Sequence, residues 1–139
     1  MKRRQLFGAL ALAAAAAPTL AKDMSGKQRV VFQVSDKDPG KWNLALNNAR
    51  NVQQDLGADK VQIEIVAYGP GLDMLKAESP VAARLAGALD NGVGLIACEN
   101  TMKNTHVEKA DMYGGIAYVQ AGVTHLMKRQ QEGWAYIRP

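Results

Sequence analysis

"VGLIACENTMK", Val93 to Lys103, holds the only cysteine of the 139-residue chain. Val93 to Ala97 is apolar throughout and follows the turn signal Asn91-Gly92. A short apolar run bounded in this way predicts a strand, and one with no polar face is covered on both sides, as in a parallel sheet. Cys98 stands where that strand gives way to polar residues. Two roles are open to its thiol there, packing and chemistry.

Upstream, Ser79 and Pro80 supply a cap with proline at the first helical position. Val81, Ala82, Leu85, Ala86 and Leu89 then form the apolar face of a helix that runs to Asn91-Gly92. Before it, "KVQIEIVAY" alternates Val61, Ile63 and Ile65 as a second strand, broken after Tyr68 by a turn at Gly69-Pro70-Gly71. Earlier still, "RVVFQVSD" carries Val30, Phe32 and Val34 at period two. Asp38 and Pro39 open a helix whose face is Trp42, Ala45, Leu46, Ala49, Val52 and Leu56, closed by Gly57.

Downstream of the cysteine, Thr105 and Glu108 have capping-box spacing for a brief helix to about Met112. Gly114-Gly115 precedes the strand "IAYVQ", Gly122 to Gln131 is helical, and "GWAYIRP" is the fifth strand. Strands alternating with helices predict parallel pairing through right-handed crossovers. The fold class is therefore α/β: a three-layer, doubly wound, mostly parallel five-stranded sheet. In such sheets ligands collect at the carboxyl ends of the strands, near the reversal of strand order. Ser35, Asp36, Tyr68, Gly69 to Gly71, Cys98 and Gln120 are expected along that edge.

The amino end predicts a destination. Lys2, Arg3 and Arg4 precede an alanine-rich apolar stretch from Leu6 to Leu20, and "TLA" ending at Ala21 is a small-residue cleavage site. Residues 1–21 read as an export signal, with Arg3-Arg4 also resembling the twin-arginine type. The stretch is shorter than the ~20 residues of a permanent span and is interrupted by Gly8 and Pro18, so no stable membrane insertion is expected after cleavage. A periplasmic or otherwise exported protein follows. Residues 22–28 are expected to be a flexible arm, and residues 29–139 one domain.

Removing the signal takes three of seventeen basic residues and no acidic one, leaving fourteen against thirteen. A near-neutral domain with no basic stripe gives no reason to expect nucleic acid. A lone cysteine cannot form an internal disulfide, so in an oxidising compartment it is buried, paired between chains, or chemically employed.

A thiol reacts through its thiolate, which needs neighbours that favour the anion. Amides at Asn100 and Thr101 are placed to do so, and Lys103 lies within reach. Glu99 opposes them unless it turns outward. His106 and His125 have no companion ligands at metal spacing, so they are expected to be solvated or capping, with no metal site. Met74, Met102, Met112 and Met127 read as core or subunit-interface packing. "YGPG" is neither a P-loop nor a dinucleotide fingerprint, and no cofactor is implied. Tyr68, Gly69 and Gln120 are the expected pocket walls.

The tail "ACENTMK" on a strand-end cysteine, the segment "YGPGLDML" and the ending "GVTHLMKRQQEGWAYIRP" resemble the DsrE/DsrF-like (YchN-like) proteins, several of which take part in sulfur relay. The resemblance implies a flavodoxin-like subunit, assembled as a homo-oligomer of three or six chains. It implies that Cys98 carries a transferred sulfur as a persulfide, with a sulfur donor or acceptor protein as partner. The alternative is a non-catalytic oligomeric module whose cleft binds a ligand or protein, Cys98 only lining it.

Overall fold

The computed structural model describes residues 26–139. The expected export signal and all but the end of the expected arm lie outside these residues. Gln28, expected in the arm, is the first residue of the sheet. The chain runs β1 (Gln28–Val34), α1 (Pro39–Leu56), β2 (Val61–Ala67), a 3₁₀ segment (Gly69–Leu75), α2 (Ala82–Asp90) and β3 (Gly94–Cys98). It continues through α3 (Glu99–Asn104), a short 3₁₀ turn (Lys109–Asp111), β4 (Ala117–Val119), α4 (Gly122–Gln131) and β5 (Ala135–Ile137).

The five strands form one sheet in the order β4-β3-β2-β1-β5. Every neighbouring pair is parallel. The longest register, Gln28 opposite Val61 through Val34 opposite Ala67, joins β1 to β2. From β1 to β4 the chain steps steadily in one direction, and the α4 crossover then returns it to the far edge. Core residues divide accordingly. On one face Val30, Phe32, Ile65 and Leu95 pack with Trp42 and Leu46 of α1, Leu85 of α2 and Met102 of α3. On the other, Val31, Val66 and Ile96 pack with Leu126 of α4 and Trp134. Burial of large side chains such as Phe32, Ile65 and Leu85 contributes about 1.5–3 kcal/mol each.

Local chemistry sets the element ends. The Asp38 carboxylate accepts the Gly40 amide at 2.9 Å, Pro39 begins α1 with its fixed φ, and Gly57 ends it at φ 96°. Trp42 anchors the first turn by donating its indole N–H to the Asp36 carbonyl at 2.8 Å.

Two local expectations are corrected. The Gly69-Pro70-Gly71 break is not a simple turn but opens a seven-residue 3₁₀ segment whose Leu72, Met74 and Leu75 are buried. It lies so close to β1 that a Cβ on Gly71 would meet the Val34 carbonyl oxygen at 2.3 Å. Thr105 does not cap a helix start. Its hydroxyl donates to the Thr101 carbonyl at 2.7 Å and ends α3, while the capping box belongs to Glu108 and Asp111.

The connections leaving β3 and β4 run to opposite faces of the sheet. A topological switch therefore opens between these two neighbouring strands, at their carboxyl ends. Those ends carry Cys98 and Gln120.

Candidate functional site

Alternation along β3 decides where the thiol points. Leu95 and Ala97 join the α1–α2 core and Ile96 the α4 core, so Cys98 is directed to the α4 side. It is the residue immediately before α3, and its Sγ donates to the Gln120 carbonyl at 3.7 Å. The same carbonyl accepts the Asn100 amide at 2.9 Å, which joins the end of β4 to the start of α3. Thr101 ties in the third strand end: its hydroxyl oxygen accepts the Gly69 amide at 2.9 Å. Gly69, Cys98, Asn100, Thr101 and Gln120 are thus brought together in one hydrogen-bonded cluster, whereas Ser35 and Asp36, expected on the same edge, bond elsewhere, to Gln33 and to Lys41. Tyr68 follows β2 with its amide donating to the Val34 carbonyl at 3.1 Å, and its ring packs on the α4 side.

Cys98 is 5% exposed, so the sulfur lies beneath the edge rather than at an open rim. Burial pushes its thiol up. Against this act the Thr101 hydroxyl, the Gly122 amide at the start of α4, and the amides of Thr101 and Asn100, and together they hold the thiol below its ordinary value. Glu99 turns outward: its charge is felt at Tyr118, whose hydroxyl is raised by burial and by that carboxylate. Lys103 is exposed and is not among the groups acting on the thiol.

Gly122 suits this geometry. A Cβ there would lie 3.1 Å from Tyr68 Cβ and 3.3 Å from a Val66 methyl, so a larger residue would make Tyr68 or Val66 give way by a few tenths of an ångström for α4 to start so close to the sheet. Beside the thiol, between the end of β4 and α4, is a cleft of about 360 Å³ lined by Asn100, Gln120, Thr124, His125 and Lys128 among others.

The sequence reading missed one cluster. Glu64, in the middle of β2, is 8% exposed and faces α4. Its carboxylate accepts Arg129 Nε at 2.7 Å and Nη2 at 2.9 Å, and His125 Nε2 lies 2.9 Å from the same Oε1. Burial raises the Glu64 carboxyl, and the hydrogen bonds and charges of Arg129 and His125 outweigh it, holding the group below the usual value. His125 is therefore neither free in solvent nor a cap. The signal lay in an acid among the apolar residues of "VQIEIVA", and in a histidine and an arginine four apart on one helix face. The methionine reading is also refined: Met74, Met102 and Met112 are core, whereas Met127 is exposed. Trp134 is buried just before β5, with the Arg129 guanidinium 4.5 Å from its ring centre. Among the described residues no group of three or more His, Cys, Asp or Glu could hold a metal ion. Among them also, no helix is long and apolar enough to cross a membrane.

A parallel five-stranded α/β unit with a thiol at the switch of its carboxyl edge defines a DsrE-like fold. The chain belongs to the DsrE/DsrF-like family, whose model matches residues 28–139. It is similar to a protein of unknown function from Methanobacterium thermoautotrophicum at 37% identity and TM-score 0.77, over 81% of this chain and 100% of that one. A conserved protein of unknown function from Bacteroides thetaiotaomicron shares the fold at 16% identity and TM-score 0.64, over 85% and 100% of the two chains. So does the ychN protein from E. coli, at 11% identity and TM-score 0.61, over 81% and 99%. No curated protein matches the chain.

Proposed function

We propose that this DsrE-like protein relays sulfane sulfur, holding it as a persulfide on Cys98. The observation that carries the reading is the thiol's place at the strand switch, where the Thr101 hydroxyl and the Gly122 amide favour its anion against the cost of burial. Membership of a family associated with sulfur relay supports it. Exchange at sulfur needs a thiolate and a donor, with no metal or cofactor from the protein, and one cysteine suffices for a carrier. Low exposure restricts the donors to species that can enter beside α4, or to a partner that shifts it.

The export signal read in residues 1–21 supports a periplasmic site of action, and cell fractionation with and without those residues tests it. The apolar residues left uncovered on α4 and β5 support assembly with further copies of the chain. A sulfur-donating or sulfur-accepting protein is the expected heterologous partner.

The function is tested by intact-mass measurement after treatment with polysulfide. One added sulfur on the native protein and none on Cys98→Ser is the expected result. No added sulfur on the native protein ends the proposal. The second reading, a binding module in which Cys98 is only a lining residue, is favoured by the 5% exposure. It predicts that iodoacetamide reacts with Cys98 only after denaturant is added.

A further inference from the structure

The polar lining of the cleft beside Cys98 supplies two side-chain amides, a hydroxyl, an imidazole and an ammonium group, and no carboxylate. Lys128 makes no ion pair among the described residues, although the adjacent Arg129 is held by both Glu64 and Glu132. His125 has its Nε2 committed to Glu64, which leaves Nδ1 as the ring's remaining polar atom. The first turn of the ten-residue α4 carries no side-chain cap, so its N–H groups beyond Gly122, whose amide acts on Cys98, add positive potential at the same place. Asn100 and Gln120, which line the cleft, also flank the sulfur.

Compact, hard donors of this kind suit oxygen atoms of an anion better than a bare sulfur chain. We infer that the cleft is the donor subsite, and that it takes a small sulfonate bearing a sulfane sulfur, of which thiosulfate is the smallest. This rests on the carrier reading of Cys98. Lys128, Thr124 and the α4 amides hold the sulfonate oxygens, and the sulfane sulfur is turned towards Cys98. The Cys98 thiolate attacks that sulfur, forming a new S–S bond. The bond between sulfane sulfur and sulfonate breaks, and its electron pair leaves with sulfite. One monoanion and one dianion become the Cys98 persulfide anion and sulfite dianion, so charge and electrons balance with no external oxidant or reductant. His125 is a positioning residue here, set by Glu64 to face the anion.

The test measures persulfide on the full mature protein by intact mass, together with released sulfite, using thiosulfate and polysulfide as separate donors. Native protein should gain one sulfur from thiosulfate and release one equivalent of sulfite. Lys128→Ala, a change at an exposed side chain, should raise the thiosulfate concentration needed for half-maximal rate about tenfold, the effect of one lost charge-assisted contact, and Lys128→Arg should restore it. Loading by polysulfide but not by thiosulfate overturns the subsite while sparing the carrier. Equal thiosulfate dependence in native protein and Lys128→Ala overturns the anion recognition. Loading by neither donor removes the carrier reading itself.

Discussion

Thr101 is the side chain on which the thiol's chemistry turns. Its hydroxyl accepts the Gly69 amide and is placed to donate to the Cys98 sulfur, so one residue links the ends of β2 and β3 and favours the anion between them. Thr101→Val keeps the volume and removes the donor. Loss of one hydrogen bond of about 1 kcal/mol lowers the thiolate population near neutral pH about fivefold, which the pH dependence of a small thiol reagent's rate will read. An unchanged profile assigns the lowered thiol to the backbone alone. Glu64 is the second such residue. Its folded-state carboxyl lies below the usual 4.5, so the stabilisation it gives is complete above that pH and is lost as pH falls through the folded value. Glu64→Gln is expected to cost about 2 kcal/mol at neutral pH, because the Arg129 guanidinium loses the carboxylate that accepts two of its hydrogen bonds and keeps only Glu132 as an ion-pair partner. It should also flatten the decline in stability below pH 4.5, measured by urea unfolding across a pH series. A variant with the native acid limb would place that limb's origin elsewhere.

At the scale of the elements, α1, β1, β2 and β3 were legible because their apolar periodicity is uninterrupted and their ends carry residues with fixed backbone preferences, Asp38-Pro39 and Gly57 above all. The Gly69–Leu75 segment was not legible, since "GPG" reads as punctuation and the burial of Leu72, Met74 and Leu75 depends on strands far away in sequence. The cluster of Glu64 with His125 escaped for a similar reason: its partners are 61 residues apart, and no local pattern joins a mid-strand acid to a helix. Strand-end placement, by contrast, follows from topology alone, which is why the cysteine edge could be anticipated while its depth could not. Two glycines separate close approach from mere flexibility. Gly71→Ala would put a Cβ 2.6 Å from the Val34 carbonyl carbon and 2.9 Å from Ser35 Cα, against backbone that cannot rotate away. A loss of about 3 kcal/mol is expected. Gly87 lies inside α2, where an added methyl group would meet nothing within 4 Å, and should instead gain about 0.5–1 kcal/mol as alanine. Denaturant midpoints of the two variants should move in opposite directions, and a shared direction would contradict the packing described for the 3₁₀ segment.

For the molecule as a whole, the unequal covering of the sheet is the decisive feature. One face is packed under α1, α2, α3 and a 3₁₀ segment, the other under α4 alone. Val123 and Met127 of α4 are 59% and 50% exposed, and Tyr136 and Ile137 on edge strand β5 are each 39% exposed. Gln33, Val123, Leu126, Met127 and Tyr136 line a single groove between them. Apolar groups gathered beside an unpaired strand edge favour association, and a stable contact needs about 800 Å² from each partner, more than the groove alone offers. The contact would therefore spread along α4, the helix whose first amide acts on the Cys98 sulfur. On the proposed assembly, self-association and thiol chemistry would be coupled through one element. Met127→Asp should leave a folded chain, since the side chain already faces solvent, and should shift the protein to monomer in sedimentation velocity. If α4 is steadied by the neighbouring copy, the same variant will also take up sulfur from polysulfide at a changed rate. An oligomer that survives Met127→Asp intact would place the interface on another surface, and a monomer with the native loading rate would show that the sulfur site is complete within one chain.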